Sequence, residues 1–401
     1  MSKEKIIILL TVFVDVLGIG IVIPVMPYFV KEVGGSPVII TTLFAIFSLF
    51  SFFSAPILGA LSDRIGRRPV LIISLASTAL GWFVFGAAKT VVMLFAGRII
   101  DGAAAGNFPI AQSYMADLSK DAKQRTQNMG LMGAIFGIGF IIGPAIGALL
   151  SHISITTPFY FVGALATINT IAAIFFLPET NKNKAVGRKI SINPFRPIIM
   201  AATDKLLKSR YLAWFLFSLG ISVQQAIFAL YMQHAFNLSI AATGYVMVAM
   251  GLILVLNQAF LLKHVWLKYF KESTLEIWVY LFFGISFLIM AVPQIWIFAI
   301  GIIGMAMGQS IIRAVVTSRI TGFAEPSRRG EVAGIMSSVM TLAMVIGPFA
   351  IGPIYLYNEH WPFIIAGLVL FMAFAVMYRC CGNIPEEKFE HQETEPVEVI
   401  S

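Results

Sequence analysis

A chain of 401 residues with 58% hydrophobic and 12% charged side chains is not an ordinary soluble domain, in which about 45–50% are apolar and about 25% charged. The formal net charge of +8 does not point to nucleic acid, because the basic residues sit at the ends of apolar runs, where they report membrane orientation. The two cysteines, Cys380 and Cys381, are adjacent and provide no disulfide framework.

Twelve apolar runs follow one another at about 6–30, 38–61, 70–88, 92–117, 128–150, 157–177, 211–233, 240–262, 275–292, 294–318, 333–356 and 361–380. Each is long enough to cross ~30 Å of hydrocarbon as a helix, and none shows the alternation of barrel strands. The first is too long for a signal peptide and is followed by eleven more spans. An all-α membrane protein of twelve transmembrane helices is therefore expected. Apart from Lys31, Lys89, Arg98 and Arg313, every Lys and Arg falls at the N-terminus, in the hairpins after even-numbered helices, between helices 6 and 7, or at the C-terminus. That bias puts both termini in the cytoplasm. The long polar stretch divides the helices into an N-terminal bundle (1–180), a cytoplasmic linker (181–208) and a C-terminal bundle (209–381). The Glu-rich residues 382–401 are expected to be a disordered tail.

In chain order, helix 1 carries Asp15 in Phe13-Val-Asp15-Val-Leu-Gly18-Ile-Gly20-Ile-Val-Ile-Pro24-Val-Met-Pro27. At 1.5 Å per residue Asp15 lies roughly 13 Å deep. The hairpin between helices 2 and 3 reads Gly59-Ala-Leu61-Ser-Asp63-Arg64-Ile-Gly66-Arg67-Arg68. Basic residues alone would anchor topology, so Asp63 and the two glycines point to a further role. Helix 4 holds Arg98 and Asp101 one turn apart, close enough to pair, then Asn107, Gln112 and, at its inner end, Asp117. Each intramembrane charge costs about 2.5–3.5 kcal/mol at a helix centre, so Asp15, Arg98 and Asp101 are read as a proton-coupling set. The bland alternative is a mutually neutralised pair.

Helix 5 places Gly139, Gly143 and Gly147 on one face, with Gly130 before them and Pro144 as a bend; such a face lets a second helix approach closely. Helix 6 closes with Leu177-Pro178-Glu179-Thr180. In the second half the turn around 263–268 keeps basic residues but neither Asp nor Gly. Polar residues recur as Gln224, Gln225 and Tyr231 in helix 7, Asn257 in helix 8, Gln309 and Arg313 in helix 10, and Ser337, Ser338 and Thr341 in helix 11. Asn107, Gln112, Gln224, Gln225, Tyr231, Gln309 and Arg313 are the candidates for a substrate pocket. Gly106-Asn107, Arg125, Gly130 and Gly143-Pro144 match Gly308-Gln309, Arg329, Gly334 and Gly347-Pro348, so the halves read as a duplication.

The hairpin motif resembles the signature loop of the major facilitator superfamily. The glycine pattern of helix 5 is similar to the motif marking that family's proton antiporters, departing only at Ala148, where a second glycine is usual. Helix 1 and the end of helix 6 resemble the tetracycline-resistance branch of drug:proton antiporters. The resemblance implies two pseudo-symmetric six-helix bundles. It also implies a conformational lock of Gly59, Asp63, Arg64, Gly66, Arg67, Arg68 and Asp117, in which Asp63 meets the inner end of helix 11 and Arg64 pairs with Asp117. Arg98 followed by small residues resembles a helix 4 motif linked to proton transfer. The expected function is export of an amphipathic, cationic drug-like compound in exchange for protons, by a monomer in the bacterial inner membrane. A transporter of an endogenous solute, or a non-transporting receptor on the same fold, are the rivals. No metal-binding, hydrolase or phosphate-loop motif is present, so neither an enzyme nor a cofactor is expected.

Overall fold

A computed structural model describes residues 3–119, 121–181, 193–324 and 328–381; the tail and part of the linker expected at 181–208 lie outside the described residues. Twelve helices are long and apolar enough to cross a membrane: helix 1 (Lys3–Glu32), helix 2 (Pro37–Ile65), helix 3 (Arg67–Gly86), helix 4 (Val91–Asp117), helix 5 (Gln127–Ser151), helix 6 (Thr157–Phe176), helix 7 (Lys208–Phe236), helix 8 (Ile240–Tyr269), helix 9 (Glu272–Met290), helix 10 (Ile295–Gly322), helix 11 (Arg329–Tyr357) and helix 12 (Trp361–Cys380). A protein so built is an integral membrane protein.

The helix pairings state the duplication in three dimensions. Helix 1 packs on helices 5 and 6, helix 3 on helices 4 and 6, and helix 2 on helix 4; six helices later, helix 7 packs on 11 and 12, helix 9 on 10 and 12, and helix 8 on 10. The two six-helix bundles meet along helix 2 with helix 11 and helix 5 with helix 8, again a symmetric exchange.

Small residues set how close these helices come. A Cβ at Gly81 would lie 2.9 Å from the Gly97 carbonyl oxygen, and one at Gly97 2.8 Å from that of Gly81, so helices 3 and 4 touch backbone to backbone.

The two ends of the molecule differ. At the end away from the 62–68 turn, here the far end, the bundles are in contact. The Tyr28 hydroxyl of helix 1 donates to the Leu238 carbonyl between helices 7 and 8, and a Cβ at Gly244 of helix 8 would lie 2.9 Å from Ala148 Cβ of helix 5. At the opposite, basic end a methyl group added at Gly59, Gly130, Gly133, Gly137, Gly330 or Gly334 would touch nothing outside its own turn. Helices 2, 5 and 11 thus carry glycines with no neighbouring helix against them at the basic end.

Helix geometry also departs from the regular spans the sequence suggests. Helix 4 is interrupted between Ala103 and Asn107. Helix 8 winds as a π-helix over Asn257–Trp266 and helix 10 over Ile312–Val316; such segments re-aim side chains and concentrate at functional sites. The 263–268 turn expected from the sequence is absorbed into the continuation of helix 8 as far as Tyr269.

Candidate functional site

The interruption in helix 4 follows from its sequence. Pro109 has no N–H for the carbonyl of Ala105, and its ring crowds that carbonyl, so the helix cannot run straight through. It stops at Ala103 and restarts at Asn107 behind Gly106. A Cβ at Gly106 would meet Ile110 Cδ1 at 2.9 Å, Leu58 Cδ1 at 3.0 Å and Ser74 Oγ at 3.0 Å, which leaves the restart room only for glycine.

Asn107, the first residue of the restarted helix, donates from Nδ2 to Asp15 Oδ1 at 2.9 Å and to Thr78 Oγ1 at 3.1 Å. It is buried. Asn107, read from the sequence as a pocket residue, is thus joined to Asp15 on helix 1 and Thr78 on helix 3. Upstream of the break, Arg98 Nη2 lies 3.4 Å from Asp101 Oδ2, and both side chains are buried. The Arg98 guanidinium sits 3.9 Å from the Trp82 ring centroid and 4.9 Å from that of Phe85, which adds cation–π attraction to the ion pair. Thr78 and Gly81, one turn apart on helix 3, abut Asn107 and Asp101 respectively, so helix 3 couples the two acid sites.

The hairpin residues come together at the basic end. Arg67 Nη1 pairs with Asp63 Oδ1 at 2.5 Å, and Arg67 Nε lies 3.4 Å from Asp117 Oδ2, which also accepts from Thr180 Oγ1 at 3.2 Å. Arg67 is thus the partner seen for Asp117, where Arg64 was the residue expected. Asp63, in the last turn of helix 2, meets Arg67 at the start of helix 3, and among the described residues it makes no ion pair with helix 11. Gly66 turns the chain at φ 121°, which a side chain would resist.

The sequence did not assign Glu179 a partner. Its carboxylate accepts from the backbone N–H of Arg67 at 2.9 Å and of Arg68 at 3.1 Å. A negative group there satisfies the orphan donors of helix 3 and complements its dipole. Tyr114 donates to the Pro178 carbonyl at 2.6 Å, Arg68 Nη2 to that of Ile174 at 2.6 Å, and Asn181 Nδ2 to that of Asp63 at 2.9 Å. The signal was the placement of an acid just beyond helix 6 in Pro178-Glu179-Thr180, readable as a cap only once helix 3 is known to start beside it.

The glycine face of helix 5 lies on helix 1. A Cβ at Gly147 would be 2.6 Å from the Ile21 carbonyl oxygen, one at Gly143 2.8 Å from Gly20 Cα, and one at Gly139 3.2 Å from Val16 Cβ. Pro144 Cδ in turn would stand 3.1 Å from a Cβ at Gly20. Gly130 belongs to the open part of the helix. Ala148, the departure from the usual pattern, points instead at Gly244 of helix 8, so the small residue that lets these helices meet is on the opposite bundle.

In the second half Tyr231 is fully buried at the far end among Phe236, Phe298 and Phe363, with its hydroxyl 2.9 Å from His360 Nδ1. It belongs to the core and not to a pocket. Asn257 is likewise internal, donating to the Met307 carbonyl at 3.2 Å and Ser310 Oγ at 3.1 Å while accepting from Trp266 Nε1 at 2.9 Å. Gln224 and Gln225 are half-buried on a helix otherwise largely enclosed, Gln309 and Arg313 are half-buried on helix 10, and Gln112 is exposed on the restarted part of helix 4. A second cluster absent from the sequence reading is the triad of buried Arg210 and Glu276 with half-buried Arg319, Arg210 Nε lying 2.7 Å and Arg319 Nε 2.6 Å from the two Glu276 oxygens. It ties the basic ends of helices 7, 9 and 10.

Two repeated bundles joined at the far end, with buried acids and arginines inside them, are the architecture of a transporter that alternates access to a site between its halves. Comparison with known proteins gives the same class. The family model described as Major Facilitator Superfamily matches residues 8–268 and 211–400. The chain is 29% identical over 410 residues to the class H tetracycline resistance protein of Pasteurella multocida, covering all of both chains. It is 29% identical over 364 residues to the quinolone resistance protein NorA of Staphylococcus aureus strain MSSA476, covering 88% of this chain and 90% of that one. The crystal structure of the human organic anion transporter MFSD10 superposes with a TM-score of 0.69 at 21% identity, over 94% of this chain and 99% of that one. The chain belongs to the Major Facilitator Superfamily and is a transporter, not an enzyme.

Proposed function

We propose that this protein is a drug:proton antiporter that exports amphipathic drug-like compounds, including those resembling tetracyclines or quinolones. The observation that carries this reading is the helix 4 break, where Asp15 is held by Asn107 and lies beside the buried Arg98–Asp101 pair. A carboxylate inside a membrane bundle is costly to keep. One that is half-buried on helix 1 and gripped by a single amide can exchange a proton for a substrate, and the tetracycline and quinolone resistance proteins to which the chain is similar support the same assignment.

The basic end is the cytoplasmic one by the distribution of Lys and Arg, so the state open at that end is the one that collects substrate from inside. Substrate binding releases the proton inward. The bundles then rock, the basic ends close with Asp63 against the first turn of helix 11, and the far-end seam at Gly244 and Ala148 parts. A proton from outside returns the carrier.

Inside-out vesicles with an imposed proton gradient test this. Tetracycline or norfloxacin should dissipate the gradient in vesicles carrying the parent chain and not in those carrying Asp15→Asn or Asp101→Asn. If no compound moves protons, or both variants match the parent, the antiport reading is wrong.

A further inference from the structure

Helix 10 shows two accessible faces of opposite character. Trp296, Ile300 and Ile303 are exposed and apolar, as a lipid-facing stripe must be. Gln309, Arg313 and Thr317, spaced four apart, are half-buried and polar. At about 100° per residue, Gln309 lies on the other side of the helix from Ile300, so the polar line turns away from lipid toward the space between the bundles. Arg313 stands in the π-helical turn Ile312–Val316, which sets its direction apart from that of a regular helix.

Arg313 differs from Arg98, the other arginine within the membrane spans, in what surrounds its guanidinium. Its Nε is buried without a hydrogen-bond partner, and among the described residues no carboxylate pairs with its guanidinium and no aromatic ring stacks on it. Arg98 in the first half also has buried nitrogens without a hydrogen bond, but Asp101, Trp82 and Phe85 surround its charge. The amide side chains of Gln224, Gln225 and Gln309 likewise make no side-chain hydrogen bond to the described residues. A guanidinium with a buried, unbonded nitrogen is a planar fork of donors suited to a carboxylate, and an anion would satisfy it. The first half supplies the complementary charge at Asp15.

From this we infer that Arg313 is the subsite for an anionic group of the substrate, so that the preferred cargo is a zwitterion, with its carboxylate on Arg313 of the second bundle and its ammonium toward Asp15 of the first. This rests on the efflux reading above and replaces the simply cationic cargo suggested by the sequence.

The test is equilibrium binding to the purified full chain in detergent, which needs no proton gradient and so stands apart from the antiport experiment. Three probes are compared: norfloxacin, a zwitterion with a carboxylate; its ethyl ester, which lacks the anion; and ethidium, a cation. The parent should bind norfloxacin more tightly than the ester. Arg313→Gln should weaken norfloxacin about 10- to 100-fold, the range of a hydrogen bond to a charged group, leave ethidium unchanged, and abolish the difference between acid and ester. Arg313→Lys should retain part of that difference. Equal loss of all three probes would make Arg313 a structural residue, and equal affinity of the parent for acid and ester would remove the subsite altogether. Either result overturns the inference, and the ester comparison stands even if Arg313→Gln does not fold.

Discussion

The two bundles share their helix pairings and differ in how they hold charge. In the first, the basic-end network of Asp63, Arg67 and Asp117 is partly exposed and shared among several partners, while the membrane interior holds a neutralised Arg98 beside Asp15. In the second the order is reversed. The basic end is tied by the buried Arg210–Glu276 pair with half-buried Arg319 beside it, and the interior carries Arg313, which no carboxylate among the described residues pairs with. An exposed network can rearrange at little cost, whereas a buried one cannot. The first bundle is thus built to switch its surface contacts and the second to stay rigid around an unfilled interior charge.

The largest effect should come from breaking the rigid side. Glu276→Gln leaves Arg210 and Arg319 facing an uncharged side chain in the core, and removal of one partner from a buried pair costs about 3–5 kcal/mol. Thermal unfolding followed by tryptophan fluorescence should show a large fall in midpoint. Asp117→Asn, at the comparable end of the first bundle, should cost under about 1 kcal/mol, because its pair with Arg67 is partly solvated. Similar losses for the two would erase the distinction.

Next in size is the seam between helices 1 and 5. Gly147→Val pushes a branched side chain against the Ile21 carbonyl, a backbone atom that cannot rotate away, and should destabilise the protein by about 1–3 kcal/mol. Gly130→Ala, on the same helix but in open space, should be neutral or gain up to about 1 kcal/mol from helix propensity. The yield of monodisperse protein on size exclusion separates the two.

These residues also mark where the sequence was legible. The twelve spans, the duplication and the close approach along Gly139, Gly143 and Gly147 follow from apolar length and small-residue spacing, which are local. The pairing of Arg98 with Asp101 was readable because both are on one helix. The Glu276 triad was not, since its three members are 66 and 43 residues apart and only the fold joins them. Tyr231 misled because its polar tip implied a cavity, where the structure gives it His360 and a cage of rings. The break in helix 4 had a signal in Gly106 and Pro109, but an apolar run of the right length hid it.

Glu179→Gln probes a smaller term. The amide still accepts hydrogen bonds from the Arg67 and Arg68 N–H groups but loses the charge that complements the start of helix 3, so a loss of about 0.5–1 kcal/mol is expected. Glu179→Ala removes the cap as well and should cost up to about 2 kcal/mol. If the two variants unfold alike, charge contributes nothing at this helix end.

Asp63→Asn should have the least effect on folding and is the most direct probe of the switching half. In the open state it loses only an exposed pair with Arg67, worth at most about 1 kcal/mol. In the closed state proposed here Asp63 is enclosed against the N-terminus of helix 11, whose dipole favours a partly buried anion by up to about 2 kcal/mol. The closed state therefore loses more, and the population should move toward the open one. A cysteine at Gly334, which stands clear of its neighbours in the open state, reports this in a chain whose Cys380 and Cys381 are replaced. Its labelling by a membrane-impermeant maleimide from the basic side should be about two- to fivefold faster in Asp63→Asn than in the parent. Labelling at the parental rate would mean that Asp63 holds Arg67 alone, and that closure of the first bundle rests on contacts other than the hairpin carboxylate.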